Sequence, residues 1–251
     1  MKKFLSPFNF TGNFLSAGPD GFGQFQFVTP DSLNERLAGK MEVRANESIA
    51  NVISGIEPGQ TIQLAPDTWT YNSPLVITKS CAIIGHPLGT KIKRGEGLTT
   101  GPMVSIEADN VVLQNIYFED ETALTDVVCI SSANANLFVS QCTMMNFSKG
   151  IENTGGSGHS YSFNSIGATS VGISLSGTSR GHRLSGNSVV MTPDSVPSIQ
   201  MGISVSATAV NGNNCNSGIS FHNTGAAQTF AAPGGLSNHV AGNVAALTET
   251  T

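Results

Sequence analysis

Charge is what this 251-residue chain has least of: Asp, Glu, Lys and Arg together make up 12%, about half the usual quarter. With 12 basic against 17 acidic side chains, and no basic run longer than Lys91-Ile92-Lys93-Arg94, there is no positive field to neutralise phosphates, which argues against nucleic acid as a partner. Long apolar runs are missing too. No stretch approaches the roughly 18 apolar residues of a membrane-spanning helix, so no membrane association is expected. The start Met1-Lys2-Lys3-Phe4-Leu5 is broken by Ser6-Pro7 and Asn9 before it reaches the length of a signal peptide. Cysteine is scarce and scattered: Cys81, Cys129, Cys142 and Cys215 form no CxxC pair, so no zinc site or other metal is expected. Each lies in or beside an apolar strand pattern and reads as a small buried side chain rather than half of a disulfide.

What the chain does have is 28 Gly, abundant Ser, Thr and Asn, and 39% hydrophobic residues at a net charge of −5. Too apolar and too weakly charged for disorder, it reads as a turn-rich, all-β protein. Ser48-Ile49-Ala50-Asn51-Val52-Ile53 has helical spacing, with Asn46 or Ser48 as N-cap and Glu57-Pro58-Gly59 as a stop, so one or two turns of helix are expected there. Thr61–Leu64, Asp67–Tyr71, Leu75–Ile77 and Cys81–Ile84 then read as short strands with turns between them. From Val104 a loose unit recurs, a short strand, a polar turn and a longer strand: Val104–Ile106 with Asn110–Phe118, then Val128–Ile130 with Asn136–Met144. Gly-Ile pairs at Gly150, Gly172, Gly202 and Gly218 mark a period of 22, 30 and 16 residues, the last step implying a shortened final coil. A second marker is Asn after a strand, in Ser162-Phe163-Asn164-Ser165, Ser185-Gly186-Asn187-Ser188 and Asn211-Gly212-Asn213-Asn214. Amides stacked at a coil corner can bond to one another along the axis, as in the Asn ladders of cross-β structures, although Asn is also simply a good turn residue.

The short helix, then Pro58-Gly59-Gln60-Thr61-Ile62, the aromatic pair Trp69 and Tyr71, and Val76-Ile77-Thr78-Lys79-Ser80-Cys81-Ala82-Ile83-Ile84-Gly85 resemble the first coil of the pectin-lyase-like right-handed parallel β-helices. That resemblance implies a short, single-stranded β-helix over residues 46–225, with the helix as an N-terminal cap whose Ile49, Val52 and Ile53 cover the open lumen. Residues 1–45 form an extended arm and connector, and residues 226–251 a C-terminal cover or oligomer contact that frays from about Leu247. Six or seven coils about 4.8 Å apart give a prism only about 30 Å long.

The superfamily includes polysaccharide lyases and glycoside hydrolases, so carboxylates on an outer face are the first thing to seek. A glycosidase needs two carboxyl groups about 5 to 9.5 Å apart. The acidic cluster Glu119-Asp120-Glu121 with Asp126 sits in a turn and reads as a solvated loop. A lyase of this kind needs an Arg or Lys base beside calcium-binding Asp residues. Arg180 and Arg183 around His182 suit the first role, but no Asp set stands one coil away. His159, His182, His222 and His239 read as turn or surface residues. The expectation is therefore no enzyme, no catalytic residue and no cofactor, with a tailspike-type depolymerase as the alternative.

The same resemblance extends to tailspike-like and capsid decoration proteins of tailed bacteriophages, usually trimers. It implies a structural virion protein: a homotrimeric decoration or cement protein or a small spike on the virion exterior, made in the host cytoplasm, with a host surface glycan as an optional further partner. Seven of the 13 Phe lie within residues 1–40, where only 23–28 reads as a short strand. Burial of each phenyl contributes roughly 1.5–3 kcal/mol, so this arm packs either on its own solenoid or on a partner such as the major capsid protein. Phe4, Phe8, Phe10, Phe14 and Phe22 are the expected partner-binding residues.

Overall fold

The computed structural model describes residues 14–17, 25–28, 40–44, 47–122, 126–202, 205–206, 208–222, 239–241 and 247–250. Two compact units divide the chain, Met1–Met41 and Glu42–Thr251. In the first, Phe14–Ala17 pairs antiparallel with Phe25–Val28, Phe14 opposite Val28. The sequence pointed to a single strand here; four residues are too few to show a period, and the partner strand went unseen.

The second unit is the parallel β-helix that the cap-and-coil pattern announced. Its helix runs Ile49–Gly55, and the Ser48 hydroxyl accepts from the Asn51 N–H at 3.4 Å, meeting one of the free donors of the first turn. Ile49 and Ile53 are buried, while Val52 is only half-buried. The first coil is Gln60–Leu64, Thr68–Tyr71 and Leu75–Ile77. Cys81–Ile84 pairs with Gln60–Leu64 in parallel and so opens the second coil. About seven turns follow one another, each contributing a strand to three faces.

Every face carries its own column of apolar residues, because alternation in a strand sends every second side chain into the lumen and coil-to-coil register sets like upon like. On the first face Ile62, Ile83, Leu113, Val139, Tyr161, Leu184 and Val210 lie in register. The second face stacks Trp69, Ile92, Phe118, Met144, Ile166, Val189 and Cys215. On the third, Leu75, Val104, Ile130, Ile151, Ile173, Ile199 and Ile219 follow one another. All of these side chains are buried, each contributing about 1.5–3 kcal/mol. The four cysteines are free and buried, as their strand settings implied.

The third column corrects the Gly-Ile period. Gly150-Ile151 and Gly172-Ile173 are in register, but the next member is Ser198-Ile199, not Gly202-Ile203, so the steps are 22, 26 and 20 residues and no coil is shortened. What the glycines share is crowding. A Cβ at Gly150 would stand 2.6 Å from the Gly172 carbonyl oxygen, and one at Gly172 2.6 Å from that of Ser198. The stacking also runs past Gly225: His239–Ala241 adds to Ala209–Asn211, and Leu247–Thr250 to Ile219–His222, where a frayed end was expected.

Candidate functional site

Phe118 points into the lumen, so its strand neighbours Tyr117 and Glu119 face out on the second face, in register with Lys91 and Lys93 of the coil before. Lys91 Nζ donates to Glu119 Oε2 at 3.0 Å and lies 4.8 Å from the centre of the Tyr117 ring. Lys93 pairs with Glu121. Asp120 turns inward and is 0% exposed. Its Oδ1 accepts from Arg94 Nε at 2.7 Å and from the Thr122 N–H and hydroxyl, both at 2.9 Å. Arg94 Nη1 donates to the carbonyls of Gly95 and Leu98, and Nη2 to the Thr122 hydroxyl. Burial alone would raise the Asp120 pKa, but the Arg94 and Thr122 hydrogen bonds outweigh it and hold the carboxyl below its ordinary value.

Glu121 and Asp126 are exposed, as the sequence suggested for the whole cluster, but Glu119 and above all Asp120 are not. Glu119, Asp120 and Glu121 form cross-coil ion pairs, and the middle one is dry. Breaking a buried pair leaves an uncompensated charge and costs about 3–5 kcal/mol, so Arg94 and Asp120 hold the second and third coils together. Asp126 is exposed, and its carbonyl accepts from the Gly101 N–H at 3.0 Å.

Arg180 and Arg183 face outward, while His182 between them is only 2% exposed. Cross-coil register sets Arg183 beside Ser160 and Ala209, and Arg180 beside Ser206. No carboxylate occupies those positions. Among the described residues no three His, Cys, Asp or Glu side chains gather as a metal-binding group.

In coils three to seven the residue before the first-face strand enters the lumen, giving the buried column Val111, Leu137, His159, His182 and Thr208. Both histidines therefore lie inside, not at the turn surface expected of them. Their rings stack at 4.9 Å and 10°, the spacing of the coils. His159 Nδ1 accepts from the Leu137 N–H at 3.1 Å, which places the proton of the neutral ring on Nε2, where the Gly155 carbonyl accepts it at 3.1 Å. Neither ring nitrogen of His182 has a partner among the described residues. The Tyr161 phenol also lies in this interior. Burial raises its pKa and Asn153 beside it opposes part of the rise, yet no hydrogen bond of proper geometry joins the two.

At the corner between the first and second faces, the Asn marker proves to be a ladder. Asn164 Nδ2 donates to Asn187 Oδ1 at 2.9 Å, and Asn187 Nδ2 to Asn213 Oδ1 at 2.8 Å. Each amide also donates to a carbonyl of the preceding coil: Val139, Tyr161 and Leu184 in turn. Just before each Asn is a residue in the left-handed region, Phe163 at φ 56°, Gly186 at 65° and Gly212 at 63°. Phe163 is 68% exposed. Sequence reasoning passed over it, yet the signal was there: Phe163 stands where the next two repeats have glycine.

Phe4, Phe8, Phe10 and Phe22 lie outside the described residues, and Phe14 opens the strand Phe14–Ala17.

No protein-family model matches the chain, and no curated protein does. Among solved structures it is similar in fold to the pectate lyase Pel9A, at 11% identity and a TM-score of 0.44, over 84% of this chain and 77% of that one.

Proposed function

We propose that this chain is a non-catalytic structural solenoid, and specifically a homotrimeric decoration protein or small spike on the exterior of a tailed-phage virion, attached through the Phe-bearing residues 1–40. The observation that carries the first part is the fate of the acidic cluster. Glu119 and Glu121 are paired with lysines of the coil before, and Asp120 is dry and bound by Arg94. A general acid or base must exchange its proton with substrate. A carboxylate kept ionised and buried between two coils instead holds those coils together. Outward Arg180 and Arg183 have hydroxyl and methyl neighbours across the coils, not acids. The virion part rests on the resemblance of the cap-and-coil motif and on the composition of the arm.

Incubation of the protein with envelope polysaccharides of a host bacterium tests the reading, with reducing ends and unsaturated uronates measured over time. Neither is expected to rise above a protein-free control. Steady release that Asp126→Ala abolishes would establish a depolymerase in its place.

A further inference from the structure

Phe163 is strained and uncovered at once. A bulky residue in the left-handed region is an outlier, and such strain persists where the surroundings enforce it, often at sites of function. Glycine fills the equivalent position in the next two coils, so the fold itself demands no aromatic there. The ring leans over Gly186, where a Cβ would come within 2.7 Å of Cδ1 and Cε1. One coil further, a Cβ at Gly212 would meet nothing within 4 Å among the described residues. The phenyl thus rests on a bare glycine.

Two rows of neutral polar residues flank this shelf. On the first-face side Ser162, Ser185 and Asn211 follow one another in register. On the second-face side Ser165, Ser188 and Asn214 do the same. Their spacing is that of the coils, about 4.8 Å. The row positions carry no charge, and Arg183 is the nearest cation along the chain. An apolar protein partner calls for a contiguous apolar patch, whereas this is a single ring among hydroxyls and amides.

We propose that this corner, Phe163 over Gly186 and Gly212 with Ser185, Ser188 and Asn214 beside them, binds a neutral glycan. A pyranose has an apolar C–H face and a rim of hydroxyls. The first stacks on Phe163 as an apolar surface meets an aromatic ring, and the second bonds to the flanking rows. A few placed polar groups around an apolar contact are what small-ligand sites share. Binding here breaks no bond, and it neither requires nor follows from the virion assignment.

The test uses the full chain with cellohexaose, maltohexaose, chitohexaose and hexagalacturonate, followed by saturation-transfer NMR and titration. At least one neutral hexaose is expected to bind, with saturation strongest on its ring C–H protons. Phe163→Gly should weaken that binding at least tenfold without lowering Tm, since glycine suits φ 56°. Gly186→Ala should weaken it as well by displacing the ring, and Arg183→Gln should leave it unchanged. Failure of all three neutral hexaoses to bind overturns the proposal. So does equal binding by Phe163→Gly, binding of hexagalacturonate alone, or loss of binding in Arg183→Gln.

Discussion

In an unfolded chain His182 titrates near 6.5, but inside the solenoid burial, and then the adjacent His159, push it down to about 4. His159 shifts the same way through burial. The groups packed around the pair are Leu137, Asn153, Tyr161 and Thr208, none of which is charged at neutral pH, while Arg183 points outward. Between these two pKa values the unfolded chain takes up a proton that the folded chain refuses. The stability held above about pH 6.5 is therefore lost as pH falls, and for His182 alone the loss by pH 4 is about 3 kcal/mol. Asp120 acts further down: its lowered pKa gives stability that is present above 3.8 and lost as pH falls through the folded value. His182→Leu should remove two unpartnered nitrogens and match Leu137 in the same column. A Tm at pH 7 at least equal to that of the parent, with a shallower fall between pH 6.5 and 4.5, is expected from thermal melts. An unchanged slope would show that the buried imidazole is not the acid-sensitive group.

The corner ladder shows how one residue type ties successive coils. Asn187 accepts from the Asn164 side chain and N–H, and donates to the Tyr161 carbonyl and to Asn213. One coil before Asn164 the same place is held by Cys142, whose N–H donates to Asn164 Oδ1 and whose thiol lies 3.7 Å from the Leu113 carbonyl. A thiol thus takes part of the amide's role, though weakly. Asn187→Ala strands several buried groups at about 1–3 kcal/mol each. We expect it to lower stability by roughly 3 kcal/mol or more, and Asn187→Cys to lower it by less. Equal losses in a denaturant titration would mean that volume rather than hydrogen bonding matters there. The ladder was legible in the sequence because Asn recurs before Ser or Asn at intervals of 23 and 26 residues, and the capping helix because Ser48, Ile49 and Ile53 follow helical rules within one turn. Burial of Asp120 was not legible. Its partner Arg94 lies 26 residues away, and only the coil register, set by all the turns between them, brings the two together. The same dependence misled the Gly-Ile count, since Gly202-Ile203 has the motif without the register. It also hid His159 and His182, because a polar residue next to a turn reads as exposed until the column it joins is known.

A single solenoid of about seven turns has flat flanks, and their outward residues differ in a way that bears on assembly. The second face carries Lys91, Lys93, Glu119 and Glu121, and the third carries Lys149 paired with Glu152. On the first face, coils two to four present Ala82, Ile84, Val112, Gln114, Phe138 and Ser140 in register, with Phe138 41% exposed. Depletion of charge together with an exposed aromatic is the composition of an interface centre. Three copies about an axis parallel to the coils would cover one such strip in each without leaving an open edge. The glycan corner proposed at coils five to seven would remain clear of that strip. In the proposed assembly the arm would have a separate task. If its seven Phe were half buried on a partner, the gross gain would be on the order of 5–10 kcal/mol per arm, less the cost of ordering the Gly- and Ser-rich chain between them. Three arms in one trimer would act together through effective concentration. Native mass spectrometry is therefore expected to give a trimer for the whole chain and a monomer for Phe138→Glu. Removing residues 1–30 should leave the trimer and its Tm intact while abolishing attachment to the larger assembly. A monomeric parent would refute the trimer, and a truncated protein that melts lower but still attaches would show that the arm packs on its own solenoid.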